Sequence, residues 1–284
     1  MKKADLILTS DWHLRDTVPV SRTDDFWEAQ WKKVDAVSEL QKEHNCYVAH
    51  GGDLFHHWKP SPYLIREAIK RLPNKFYTVY GQHDLPKHNF ELRHKSGISV
   101  LEQAGKLTVF DEGNWGQVPV NGVVINGRKV AVWHNFTYVG KDPFPGITSP
   151  KSHVLLERYD FDLILTGDNH QSFVTSGLKG NILVNPGSLT RQTAAQIDAE
   201  PCVYLWYSSD NSLKRVVLPY TKNVVSREHI ELKKEHDEKM LAYISKMDTD
   251  WQLSANFTEN LTRYMQANRI RREVKEVIYE CVNF

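Results

Sequence analysis

The side chains in this sequence best suited to hold a metal ion or move a proton fall in five short stretches. These are Asp11-Trp12-His13, Gly51-Gly52-Asp53, Gly81-Gln82-His83-Asp84, the single His134, and Gly167-Asp168-Asn169-His170. Mixed carboxylate and imidazole donors suit Mn²⁺, Fe or Zn²⁺. A carboxylate such as Asp53 can bridge two ions about 3.5–4 Å apart, and two ions at that spacing can grip a phosphodiester, activate water and stabilise the leaving oxygen. Asp11, His13, Asp53, Gln82, His134, Asp168 and His170 are the candidate ligands. Taken singly, each stretch has an ordinary explanation: Gly-Gly-Asp is a common turn, and a lone histidine is usually a surface or satisfied core residue. Only their common register makes them a site.

That register comes from the elements in front of them. Leu6-Ile7-Leu8, Cys46-Tyr47-Val48-Ala49, Phe76 to Tyr80, Val130 to Trp133 and Leu163-Ile164-Leu165 read as short buried strands, and each ends just before a candidate ligand. Helices are expected over Asp24 to Glu43 and Ser61 to Leu72. The β-α-β-α-β order argues for right-handed crossovers and a partly parallel sheet, whose strand carboxyl ends form one rim where ligands gather. Further strands are expected at Lys106 to Phe110, Gly122 to Ile125 and Gly180 to Val184, with a closing hairpin of Val203 to Tyr207 and Leu213 to Leu218. The expected fold is α/β, two sheets packed face to face and flanked by helices, over residues 1–225. A short helical segment, 226–284, follows, with helices over Glu228 to Lys246 and Thr258 to Cys281.

In order and spacing, Asp11-x-His13, Gly52-Asp53, Gly81-x-His83-Asp84, His134 and Gly167-Asp168-x-His170 resemble the motifs of the calcineurin-like metallophosphoesterases, over roughly residues 5 to 190. Within that superfamily, Gly52-Asp53-Leu54-Phe55-His56, Lys59-Pro60-Ser61 and Asn185-Pro186-Gly187-Ser188 are similar to the SbcD-type double-strand-break repair nucleases. The resemblance implies a two-sheet sandwich holding two divalent ions. One would be bound by Asp11, His13, Asp53 and His170, the other by Asp53, Gln82, His134 and Asp168. It further implies His83 as the acid that protonates the leaving oxygen, Asp84 as the group that orients His83, and His56 as a second histidine beside the scissile phosphate. The activity implied is cleavage of DNA.

The pattern departs from the family at two positions, with Gln82 where Asn is usual and Asp168 where His is usual. Both fall on the same implied metal. That side gains a carboxylate and loses an imidazole, which favours Mn²⁺, or Mg²⁺, over Zn²⁺. Ser188, Thr190 and Arg191 follow a Pro-Gly turn and could contact phosphate. Lys87, His88, Arg93, His94 and Lys95 form a basic run that could touch a DNA backbone, and Trp12 and His57-Trp58 could stack on a base.

The formal net charge of +1 over 284 residues neither favours nor excludes nucleic acid, so a basic surface would have to be local. Cys46, Cys202 and Cys281 are scattered and odd in number, which argues against a disulfide framework and suits a reducing, cytoplasmic setting. The N-terminal apolar run is too short for a signal peptide, and no run spans a membrane. SbcD-type nucleases carry C-terminal helices that bind a coiled-coil ATPase of the SbcC type, and they dimerise. The expected partners are therefore DNA, such an ATPase and a second copy of the chain. Alternatives are a phosphatase or small-substrate phosphodiesterase of the same superfamily, or a metal-impaired scaffold subunit.

Overall fold

The computed structural model describes residues 2–250 and 257–282. The chain divides into two compact units, Met1–Arg227 and Glu228–Phe284. Unit one is an α/β sandwich of two mixed sheets. The first sheet contains β1 (Leu6–Thr9), β2 (Tyr47–His50), β3 (Phe76–Thr78) and β4 (Thr108–Val109) in parallel, with β10 (Cys202–Tyr207) and β11 (Ser212–Val217) added antiparallel beside β1. The second runs β5 (Val123–Ile125), β6 (Arg128–Trp133), β7 (Leu163–Thr166), β9 (Ile182–Asn185), β8 (Phe173–Ser176), with β6, β7 and β9 parallel and both edges antiparallel.

The unbroken apolar runs of the central strands follow from burial on both faces. Leu6 and Leu8 of β1, Val130 and Val132 of β6, and Leu163 and Leu165 of β7 meet between the sheets with Trp206. The alternate residues point outward. Ile7 and Val48 lie under α1 (Phe26–His44), α2 (Pro62–Arg71) and α3 (Gly97–Gln103), while Ala131, Trp133 and Ile164 lie under α4 (Ser152–Arg158). The Asp25 carboxylate caps α1 at Glu28 N, 3.0 Å, and the Ser61 hydroxyl caps α2 at Leu64 N, 3.1 Å, just before Pro62.

The sequence reading differs from the structure in specific places. Helices α3 and α4 have seven residues each and strand β8 has four, and none was expected. The strand expected at Phe76 to Tyr80 stops at Thr78, and that at Lys106 to Phe110 shrinks to Thr108–Val109. In the C-terminal unit, α5 (Glu228–Asp250) runs past the expected end. The helix expected over Thr258 to Cys281 is two, α6 (Phe257–Ala267) and α7 (Arg272–Val282), separated at Arg269, whose φ is 49°. A non-glycine residue in the left-handed region ends a helix without leaving a compositional sign. Thr262 Oγ1 and Tyr279 Oη lie 2.6 Å apart and join the two helices. No described helix is long and apolar enough to cross a membrane.

Candidate metal centre

At the carboxyl ends of β1, β2 and β7 the backbone turns through the left-handed region on the ligands themselves. Asp11, His13, Asp53 and Asp168 have φ of 51°, 45°, 56° and 70°. Such residues cost of order 1–3 kcal/mol each and persist where their surroundings over-determine them. Here the surroundings are a ladder between two loops: Asp11 N to Gly52 O at 3.0 Å, His13 N to Asp53 O at 2.9 Å, and Leu14 N to Leu54 O at 2.9 Å. Gly81 must be glycine, because a Cβ there would collide with the Asp53 carboxylate.

The donor atoms converge. Asp53 Oδ2 lies 3.7 Å from His13 Nε2 and 3.6 Å from His134 Nε2, so one oxygen stands between two imidazoles. Asp11 Oδ1 lies 3.8 Å from His13 Nε2 and 3.9 Å from His170 Nε2, and those two nitrogens face each other at 3.0 Å. Asp11, His13 and His170 form one group with ligand spacing, and Asp11, Asp53 and His134 form another. His134 Nδ1 is 2.6 Å from the Gly51 carbonyl, which turns Nε2 toward the site. Gln82 completes this side, with Oε1 2.6 Å from His134 Nε2 and Nε2 donating to Asp168 Oδ1 at 2.6 Å. Asp168 therefore reaches the cluster through the Gln82 amide.

Electrostatics decide whether this donor set fits a cation. Asp11 and Asp53 are 0% and 1% exposed, and their close ion-pair contacts are with histidines rather than Lys or Arg. Burial lifts the Asp11 carboxyl to about 6. Burial also pushes Asp53 upward, but the charges of His134 and His13 more than offset it, and its carboxyl sits well below the usual range. His134 is drawn in the same field. Burial opposes its charge, yet Asp53, Asp11 and Asp168 raise it to about 10. The shift of His134 answers the charge of the buried carboxylates, whereas burial drives His13 well below the ordinary imidazole range. Divalent cations would meet the same negative potential with nitrogen and oxygen donors already aimed, so the residues fit such ions.

His83 and His56 stand beside this cluster and are only partly buried. Their rings stack with centroids 5.6 Å apart, and His83 meets His13 edge-on at 4.9 Å. His83 Nδ1 donates to the His56 carbonyl at 3.0 Å, and His83 N donates to Asp53 Oδ1 at 2.9 Å. The expectation that Asp84 orients the His83 ring is corrected. The Asp84 carboxylate instead accepts from Leu54 N, Phe55 N and Gly81 N at 3.2, 3.0 and 3.0 Å, locking the two ligand loops together. Ser188 and Arg191 border a recess beside His170, but their polar atoms are committed internally. Ser188 Oγ donates to Thr190 O at 2.8 Å, and the Arg191 guanidinium donates to the carbonyls of Ile197 and Thr221. Trp12 is fully buried, with Nε1 bonded to Thr9 Oγ1 at 2.7 Å, and cannot stack on a base. Lys87, His88, Arg93, His94 and Lys95 are exposed, and His88 Nδ1 reaches the Gln82 carbonyl at 3.1 Å, so the basic run starts at the site.

Two supports escaped the sequence reading. Ser10 Oγ donates to Asp11 Oδ2 at 2.6 Å. Asn185 Nδ2 donates to the Asn169 and Gln171 carbonyls at 2.5 and 2.7 Å, fixing the loop that carries His170. The Asn185-Pro186-Gly187-Ser188 stretch signalled the second, although no role was attached to it.

Residues 5–172 match the calcineurin-like phosphoesterase family. The chain belongs to that family. Its members are metal-dependent phosphoester hydrolases. A comparison with curated proteins returns no match. Similar solved structures include vacuolar protein sorting 29 from Cryptosporidium parvum (18% identity, 78% of this chain and 100% of that one, TM-score 0.38). They also include a metallophosphoesterase from Sphaerobacter thermophilus (12%, 76% and 89%, 0.38) and Vps29 complexed with Zn²⁺ from Entamoeba histolytica (14%, 75% and 98%, 0.34). Overlays this loose carry no functional argument.

Proposed function

We propose that this phosphoesterase is a DNA phosphodiesterase that works with two divalent ions, most favourably Mn²⁺, in DNA end processing. The observation that carries the reading is the His56–His83 pair standing beside the ligand cluster, with the exposed basic run beginning one hydrogen bond away at His88. A phosphate diester needs its leaving oxygen protonated, and a partly exposed imidazole held by a backbone carbonyl is placed for that. Of the two histidines, His83 takes the role. Burial, then the charges of Arg15 and His83, bring His56 down to about 4, so at neutral pH it has no imidazolium proton to give.

Ions bound by Asp11, His13, Asp53, Gln82, His134, Asp168 and His170 would supply Lewis-acid polarisation of the phosphoryl group and activation of water. The protein supplies the rest. Asp84 holds the two ligand loops in register, Gly51 sets the His134 tautomer, and the His56 carbonyl aims His83. Oxygen donors from Gln82 and Asp168 favour Mn²⁺ or Mg²⁺ over Zn²⁺ on their side. An ATPase partner and a second copy of the chain belong to the same proposal. Leu232 and Leu241 on α5 and Val277 on α7 are exposed apolar residues of the kind a docking arm presents.

Rates on single-stranded DNA and on p-nitrophenyl phosphate separate this reading from a monoesterase. The nuclease reading expects DNA to be the better substrate by kcat/KM, and a preference for p-nitrophenyl phosphate would overturn it. Anomalous scattering from Mn²⁺-soaked crystals should show two sites. A single occupied site would favour the scaffold alternative, which the Gln82–Asp168 hydrogen bond motivates.

A further inference from the structure

Outside the metal centre, the first turns of α1, the segment before it and the Pro219–Thr221 stretch past β11 line a second polar cavity of about 170 Å³. Its walls carry Arg22, Lys32, Lys33, Arg191 and Tyr220, with Asp24 as a lining carboxylate. Three of the four cations are buried, with Arg22 at 8%, Lys33 at 3% and Arg191 at 4% exposure. Buried charges ordinarily have a counter-charge. Arg22 has one, a two-point pair with Asp24 at 2.7 and 2.6 Å, and it also donates to Arg191 O at 2.9 Å. Arg191 donates to carbonyls and lies over the Tyr220 ring at 5.1 Å, with no carboxylate ion pair among the described residues.

Lys33 is the exception that points to a ligand. Its ammonium donates to Ala29 O, the carbonyl one turn back on its own helix, at 3.1 Å, and it makes no carboxylate ion pair among the described residues. An ammonium has three donors, so two are left without a protein acceptor among the described residues. We propose that this cavity is a binding site for a phosphate-type oxyanion, held by Lys33 in the positive field of Arg22 and Arg191. The volume has room for a tetrahedral anion. Burial, together with the charges of Arg22 and Arg191, brings Lys33 down to about 8, a stress that an anion would relieve. The cavity is tied to the metal centre by the chain. Three residues before Arg191, Ser188 bridges Ser10, and Leu189 N donates to Asp11 O at 3.2 Å.

Calorimetric titration of inorganic phosphate into the metal-loaded full chain tests this, with wild type compared with Lys33→Met and Lys33→Arg. Phosphate held at the metal centre is common to all three. The expected result is a further site, one per chain, weakened roughly tenfold or more in Lys33→Met, as befits loss of a charge-assisted hydrogen bond, and kept in Lys33→Arg. A second arm uses an oligonucleotide with and without a 5′-terminal phosphate. If only the phosphorylated strand shows the Lys33-dependent difference, the site stands and its anion is a strand terminus rather than free phosphate. Amide shifts in wild type on adding phosphate, centred on Ala29, Lys33 and Thr221, give a readout that depends on no variant. Indifference of both inorganic phosphate and the phosphorylated strand to Lys33→Met, or amide shifts confined to the metal centre with both probes, would overturn the proposal.

Discussion

At the scale of the residue, the centre separates buried donors from partly exposed ones. Asp11, His13, Asp53 and His134 are buried and aimed by the backbone, whereas His83, His56 and His170 keep partial exposure where a substrate would arrive. The His56 side chain is dispensable for aiming His83, because the carbonyl that accepts from Nδ1 belongs to the main chain. His56→Asn should therefore lose less kcat than His83→Ala, and steady-state kinetics on DNA will rank them; the reverse order would reassign the acid. Asp84→Asn should act through the loops. A neutral amide has one acceptor oxygen for three backbone N–H groups, so unfolding should cost about 1–3 kcal/mol less, read from denaturant melts. The motif residues were legible because an Asp or His after an apolar strand is an unusual thing to repeat five times. The roles of Asp84 and Arg191 were not, because residue type announces charge and says nothing of which backbone groups will capture it.

Elements position the chemistry by ending where they do. The parallel strands β1, β2 and β7 deliver Asp11, Asp53 and Asp168 to one rim, and close approach at Gly81 lets Asp53 enter. Gly81→Ala should displace that carboxylate and weaken Mn²⁺ binding by about 10–100-fold with the fold retained, as measured by metal titration and circular dichroism. Lys33 on α1 gives a pH signature. The unfolded chain keeps this proton to 10.5, and the folded protein gives it up near 8. Between those values the unfolded state binds more protons, so stability rises with pH. In phosphate-free buffer, wild type should gain up to about 3 kcal/mol relative to Lys33→Met between pH 8 and 10.5. Parallel curves would show that the ammonium is not strained. Long strands and helices were legible from periodicity, which needs several repeats to register. Helices α3 and α4 offer two turns each, and β8 has the half-exposed pattern of an edge, so all three fell below what pattern can resolve.

For the whole molecule, every candidate ligand lies between Asp11 and His170, inside the unit Met1–Arg227. A chain ending at Arg227 should keep metal binding and hydrolysis of a small phosphodiester, while losing whatever depends on Glu228 onward; loss of metal binding on truncation would tie the second unit to the centre. The near-neutral net charge makes any attraction to DNA a local matter of the run from Lys87 to Lys95, so salt should weaken DNA cleavage more than cleavage of a small neutral-tailed ester. The most direct test of the account is single-stranded DNA cleavage with Mn²⁺ by wild type and His83→Ala. The account predicts cleavage by wild type that chelation abolishes, and a loss of about 10²–10⁴-fold in kcat for the variant. Equal activity in both, or cleavage that survives chelation, would contradict it.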